Sequence, residues 1–78
     1  MNKNDLYKPI ACSLHDEYEV AIMQKKSLNI RWRDDSGMSY RDEIMPEDIV
    51  VKDRQEFLVA KTKAGNILTI RLDKISFV

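Results

Sequence analysis

The sequence of 78 residues is poor in the residues that usually cross-link a small protein or bind it to a membrane. Its single cysteine, Cys12, excludes an intramolecular disulfide and a zinc site built from several thiolates. Two glycines are too few for a phosphate-binding loop. No run approaches the ~20 apolar residues of a membrane helix, and the polar first residues do not resemble a signal peptide. Because small secreted domains usually depend on disulfides, we expect a cytoplasmic protein.

The chain also lacks an excess of charge, because 13 lysines and arginines balance 13 aspartates and glutamates. A protein that grips nucleic acid phosphates usually carries a basic excess, so we expect no direct contact with nucleic acid. Hydrophobic residues make up 44% and charged residues 33% of the chain, which is typical of a globular protein. We therefore expect residues 1–78 to form one domain, with the polar residues 1–6 disordered.

The first regular element is predicted to be a helix with one apolar stripe. Pro9 favours an extended segment before it, and Ser13 is predicted to be the N-cap, with Asp16 completing a capping box. We expect Cys12 to be a small buried residue where the extended segment meets the rest of the protein. The stripe has helical spacing and consists of Leu14, Tyr18, Ala21 and Ile22.

The remainder of the chain predicts about five short strands with no helix between them. The sheet should therefore be antiparallel, and a bent sheet that closes into a small barrel would protect its edges. Pro46 is predicted to end the second strand, because proline cannot donate to a ladder. The fold class is mainly β, with the N-terminal helix across one open end of the barrel. The predicted strands are 28–33, 38–44, 57–62, 67–72 and 75–78, with 48–51 as a short link or a further strand.

Two exposed polar segments are candidates for a binding surface. At ~100° per residue, His15, Asp16 and Glu19 fall in one arc of the helix, away from the apolar stripe. This arc is either a negative surface that docks on a basic partner or an ordinary solvated helix face. The polar segment Lys52-Asp53-Arg54-Gln55 lies between apolar segments and is either a contact loop or a plain surface turn.

Two further groups of residues suggest other activities. Cys12 and His15 could form a nucleophile at the start of a helix, but no third group is evident to orient them, so we expect no enzyme. We also expect no cofactor and no metal site. Arg31, Trp32 and Arg33 could bind nucleic acid by stacking and phosphate contact. Strand alternation instead places Trp32 opposite to both arginines, where it fills the core.

Several short motifs are spread over most of the chain. They are Tyr7-x-Pro9-Ile10-x-Cys12, then Asp16, Glu19 and Ala21, then Glu56-Phe57-Leu58 and Arg71-Leu72-Asp73-Lys74-Ile75. Together they resemble the Rof (YaeO) family, small bacterial antiterminators that bind transcription termination factor Rho. The resemblance runs from about Tyr7 to Phe77. It implies an Sm-like fold, in which an N-terminal helix is followed by a strongly bent five-stranded barrel.

The resemblance also implies a mechanism and a site. Family members bind the N-terminal RNA-binding region of Rho and block its primary RNA site, so that Rho does not load on transcripts. Their contact surface includes the N-terminal helix and a loop between strands. We therefore expect an inhibitor of Rho that is monomeric when free, and the alternative is an Sm-like protein that binds RNA directly. By position, the contact surface corresponds to Ser13, His15, Asp16, Glu19, Lys52, Asp53 and Arg54.

Overall fold

One helix and one five-stranded sheet account for most of the chain in the computed structural model, which describes residues 6–78. The sheet order is β4-β3-β2-β1-β5 and every pairing is antiparallel, which confirms the predicted mainly β fold. No helix in the described part of the chain is long and apolar enough to span a membrane. The elements are α1 (Cys12–Gln24), β1 (Leu28–Arg33), β2 (Ser39–Lys52), β3 (Gln55–Thr62), β4 (Ile67–Arg71), a 3₁₀ turn (Leu72–Lys74) and β5 (Ile75–Phe77).

The disorder predicted for residues 1–6 falls mostly outside the described residues, because residues 1–5 are not among them. Leu6 is described, has no regular secondary structure and is exposed.

Helix α1 begins earlier than the sequence pattern predicted. Ala11 has extended backbone angles (φ −62°, ψ 146°), and its carbonyl accepts hydrogen bonds from the N–H groups of Leu14 and His15, both at 3.0 Å. The predicted Ser13 cap is therefore wrong. An N-cap side chain reaches the helix from an extended residue, whereas Ser13 already lies inside the first turn. No side chain caps this helix start.

The C-terminal end of α1 closes through a left-handed residue. Lys25 has φ 55° and ψ 43°, and its N–H donates to the carbonyl of Ile22 at 3.3 Å. The N–H of Lys26 donates to the carbonyl of Ala21 at 2.9 Å, which completes a Schellman motif. Glycine is usual at the left-handed position because it has no Cβ, so Lys25 adds strain to this turn.

Strand β2 is one continuous, bent strand, and the prediction that Pro46 ends it is wrong. Its first half pairs with β1 up to Ile44, and its second half pairs with β3 from Ile44 onwards. At Pro46 the pairing with β1 has therefore ended, so the missing N–H removes no bond on that side. The register shifts between Pro46 and Asp48, which makes Glu47 the extra residue of a β-bulge.

The core lies between α1 and the sheet. Tyr18 and Ala21 of the predicted apolar stripe are buried, and Leu14 and Ile22 pack against them from partly buried positions. Trp32 also packs against the core, as predicted, while its indole N–H donates to Asp42 Oδ2 at 2.8 Å. The fully buried larger side chains are Tyr18, Ile30, Ile44, Leu58 and Leu72.

The turn between β1 and β2 is organised by Asp34. Its Oδ1 accepts hydrogen bonds from the N–H groups of Ser36 (2.9 Å) and Met38 (3.0 Å), and its Oδ2 accepts one from the Tyr40 hydroxyl (2.9 Å). Hydrogen bonds from Ser36, Tyr40 and Met38 lower the pKa of the Asp34 carboxyl. Gly37 has φ 90°, a conformation that suits glycine and completes the predicted turn.

Candidate functional site

The predicted arc on α1 exists as a compact group of polar side chains. His15 Nδ1 lies 3.3 Å from Glu19 Oε1, one helical turn away. One ligand atom from each of His15, Asp16 and Glu19 lies within 4.8 Å of the others. Ser13 and Asp16 are exposed, and the Glu19 side chain is 55% exposed, so these groups are accessible to a partner.

The predicted loop at residues 52–55 is a tight hairpin turn between β2 and β3. Lys52 pairs with Gln55, which leaves Asp53 and Arg54 as a two-residue turn. Both have positive φ (53° and 62°), as a type I′ turn requires. Asn-Gly is the usual pair at these positions, and Arg54 there is strained because of its Cβ. Lys52, Asp53 and Arg54 are all exposed.

Glu56 joins these two segments. Its Oε2 lies 3.3 Å from His15 Nε2, and it follows Arg54 by only two residues. The imidazole of His15 therefore bridges a carboxylate on its own helix and a carboxylate at the start of β3. We call the combined area the helix–hairpin surface. It consists of Ser13, His15, Asp16, Glu19, Lys52, Asp53 and Arg54.

Tyr7, in the extended segment before α1, also interacts with Glu56. Burial raises the pKa of the Tyr7 phenol, and the negative charge of Glu56 raises it further. The phenol also hydrogen-bonds with Glu56, and the guanidinium of Arg71 lies 5.9 Å from the ring centre. Asp73 holds the same segment, because its carboxylate accepts hydrogen bonds from the Lys8 N–H (3.0 Å) and Arg71 Nε (2.6 Å).

Sequence reasoning did not assign Tyr7 or Glu56 to the site, although both belong to the motifs that carry the family resemblance. The sequence feature that could have pointed to Glu56 is its position, two residues after an exposed polar turn. Its partner could not be identified without the structure, because His15 is 41 residues earlier in the chain.

The helix–hairpin surface carries charge of both signs. Asp16 and Glu19 make the helix side negative, and Lys52 and Arg54 make the tip of the hairpin mostly positive. Such an arrangement can match a partner with complementary charges and fix its orientation. By distance alone, the imidazole of His15 and the two helix carboxylates could also converge on one cation, with ligand types that are common for zinc.

Cys12 does not occupy the buried position that the sequence predicted. It is the first residue of α1 and is exposed, because the stripe that faces the core starts two residues later at Leu14. Both imidazole nitrogens of His15 face carboxylates, and within residues 6–78 no hydrogen bond joins His15 to the Cys12 sulfur. The described residues therefore do not form the conceivable Cys12–His15 pair.

Comparison with known proteins gives two relatives that match over most of the chain. Protein rof of Escherichia coli (strain K12) is 32% identical over 73 residues, which cover 94% of this chain and 81% of the relative. Protein rof of Shigella flexneri matches with the same identity and coverage. No family model matches the chain. Because the identity extends over most of the length of both proteins, the chain belongs to the Rof family.

Proposed function

We propose that this protein inhibits transcription termination factor Rho. In this proposal it binds the N-terminal RNA-binding domain of Rho through the helix–hairpin surface. Occupation of that domain blocks the loading of RNA at the primary site and leads to antitermination. Membership of the Rof family supports a Rof-like regulatory role, and the geometry of the helix–hairpin surface supports the choice of contact residues.

The observation that carries the choice of surface is the contact between His15 and Glu56. Residues 13–19 and 52–54 are distant in sequence, and this contact at 3.3 Å brings Glu56, two residues after the hairpin turn, to the helix, which supports a surface shared by both segments. A partner that docks there can touch both segments at once. The short, paired turn and the packed helix also limit how much the surface must reorganise on binding.

The proposed physical basis is that carboxylates take the place of RNA phosphates. An RNA-binding site presents basic groups, and Asp16 and Glu19 offer exposed negative charge at the helix side of the surface. Lys52 and Arg54 then orient the protein through contacts with acidic or carbonyl groups of the partner. Because such contacts are partly screened by ions, binding should weaken as salt concentration rises.

A binding and competition assay with purified Rho tests this proposal. Asp16→Lys and Glu19→Lys should each weaken binding to Rho at least tenfold, which corresponds to about 1.4 kcal/mol. The same variants should lose the ability to displace cytidine-rich RNA from Rho. Glu17→Lys is the matched control, because it makes the same change of charge at an exposed residue of α1 that lies beside the apolar stripe.

The outcomes separate the alternatives. Retained binding by Glu17→Lys together with lost binding by the other two variants supports the proposed surface. Full inhibition of Rho by a variant that carries both Asp16→Lys and Glu19→Lys contradicts it. Circular dichroism of each variant should match that of the unchanged protein, since all three positions are exposed.

A further inference from the structure

Three arginines lie together on the outer face of β1 and β2, away from the core. Arg31 and Arg33 alternate with the core-packed Trp32, so both point to the opposite face of β1. Arg41 on β2 is the register partner of Arg31. Directly opposed residues in an antiparallel pair have Cβ atoms about 5 Å apart, so the three side chains form one group. We call it the arginine face.

None of these guanidinium groups has an ion pair or a side-chain hydrogen bond with another residue in 6–78. The acidic residues closest in register are engaged elsewhere. Glu43, two residues after Arg41 on the same face, lies 3.0 Å from Lys63 Nζ. Asp42 points to the core side and accepts the hydrogen bond of Trp32.

This arrangement is unfavourable for the isolated protein. Like charges that face each other directly across two strands destabilise a sheet. An acidic residue at position 41 would have formed an attractive pair with Arg31, like the pair that Glu43 forms with Lys63. The overall charge of the chain is zero, so this positive group is a local concentration and not a consequence of a basic composition. A negatively charged partner would supply the missing counter-charges.

The surroundings leave room for such a partner. Ser39 is the register partner of Arg33, and Ser76 on β5 is the register partner of Arg31. Both side chains are small and carry a hydroxyl that can donate a hydrogen bond to an anion. A shallow depression of about 300 Å³ includes Arg31, Arg33 and both serines in its lining. Asp73 also lines it, but its carboxylate accepts hydrogen bonds from Lys8 N–H and Arg71 Nε.

We infer that the arginine face binds the phosphodiester backbone of a single-stranded nucleic acid. Guanidinium groups bind phosphates with paired hydrogen bonds. Arg31 and Arg33 are about 7 Å apart along the strand. Arg41 lies opposite Arg31 on β2, so the face presents three positive charges within a short span. A nucleic acid backbone carries one negative charge per nucleotide in a regular series, whereas the carboxylates of an acidic protein are irregularly placed. A flexible single strand can also lie flat on an open sheet face.

The inference departs from the expectation, drawn from the neutral composition, that this protein makes no direct contact with nucleic acid. Net charge does not reveal where the charges lie, and the fold collects three arginines on one face. Trp32 is an aromatic residue in the lining of the depression, but its ring packs against the core and is not presented for stacking with bases. Binding should therefore depend on phosphates and show little preference among bases.

Fluorescence anisotropy with labelled 12-nucleotide uridine RNA and thymidine DNA, in the absence of Rho, tests the inference. Three phosphate contacts on a single strand predict that log K falls with log salt with a slope of about −2. The dissociation constant should be on the order of 10⁻⁵ M at physiological salt and lower at reduced salt. Similar affinity for the two strands indicates contact with phosphate alone, and tighter RNA binding adds a contact with the 2′-hydroxyl.

The decisive variant combines Arg31→Gln with Arg41→Gln. It should bind at least tenfold more weakly with a shallower salt slope, while its melting temperature stays the same or rises because a repulsion is removed. Lys25→Gln with Lys26→Gln is the matched control, since it removes two charges from the turn after α1. Equal binding by the two double variants would overturn the inference. Binding of a poly-glutamate peptide as tight as that of RNA would do the same, in favour of an acidic protein partner.

Discussion

Replacement of Tyr18 by phenylalanine should make this protein more stable. The Tyr18 side chain is fully buried between α1 and the sheet, and its ring meets that of Phe77 edge-on with ring centres 5.3 Å apart. Its hydroxyl oxygen is inaccessible and has no hydrogen-bond partner within residues 6–78. Phenylalanine keeps the ring and its contacts and removes only the unpaired polar group.

The expected gain follows from the cost of burying that group. An unpaired hydroxyl in an apolar environment destabilises a folded protein by about 1–3 kcal/mol. Tyr18→Phe leaves no cavity larger than one oxygen atom. The free energy of unfolding should therefore rise by an amount near the lower end of this range, about 1–1.5 kcal/mol. For a domain of this size, 1 kcal/mol corresponds to a shift of about 4–8 °C in melting temperature.

A dependence on pH distinguishes this cause from better packing. Burial, with a smaller contribution from the charge of Glu17, raises the pKa of Tyr18 from 10.0 to about 12. The folded protein therefore holds the phenol proton more tightly than the unfolded chain does. Titration of Tyr18 therefore leaves the free energy of unfolding almost unchanged below pH 10 and lowers it by about 3 kcal/mol as the pH rises towards 12. The Phe variant should lack this loss.

Urea denaturation monitored by circular dichroism at pH 7, 10 and 11.5 measures both effects. The advantage of Tyr18→Phe over the unchanged protein should widen between pH 10 and 11.5. Tyr40→Phe is the control for alkaline titration, because Tyr40 is exposed and the negative Asp34 carboxylate that accepts its hydrogen bond raises its pKa. A lower melting temperature for Tyr18→Phe at pH 7 would refute the reasoning and would show that the hydroxyl has a partner.

Three further changes address the helix–hairpin surface and the turns beside it. Glu56→Gln should change the free energy of unfolding by less than about 1 kcal/mol, because the contact with His15 is partly exposed, but weaken Rho binding several-fold in a pull-down; unchanged binding would remove Glu56 from the site. Lys25→Gly should raise the free energy of unfolding by about 0.5–1 kcal/mol, seen as a higher urea midpoint, since glycine tolerates positive φ. A lower midpoint would contradict the strain assigned to the Schellman turn. Arg54→Gly should stabilise the hairpin by a similar amount and yet reduce Rho affinity; a combined gain in stability and in binding would argue against a contact role for this side chain.

The order of elements could be predicted because each has a local signature. The spacing of Leu14, Tyr18, Ala21 and Ile22 indicated the helix and the face that it buries. Alternation in residues 28–33 predicted β1 and placed Trp32 towards the core. Pro46 was misinterpreted because its effect depends on whether a neighbouring strand needs its N–H, and that is a property of the sheet and not of the residue.

The candidate site was predictable only in part. The arc of His15, Asp16 and Glu19 follows from helical geometry, and the exposed hairpin follows from its polar composition. Glu56 was missed because it meets His15 through a contact between positions 15 and 56, which no local pattern encodes. The arginine face was missed for the same reason, because Arg41 becomes a neighbour of Arg31 only through the register of β1 and β2.

By itself, the sequence determined the class of fold, the buried side of the helix, the neutral overall charge and the membership of the Rof family, because these depend on composition, periodicity and residue identity. The tertiary structure alone decided which charged groups meet. Strand register set Arg31 against Arg41, and the packing of α1 on the sheet set His15 against Glu56. The physical reason is that electrostatic interactions depend on distances in space, and those distances exist only after the chain has folded.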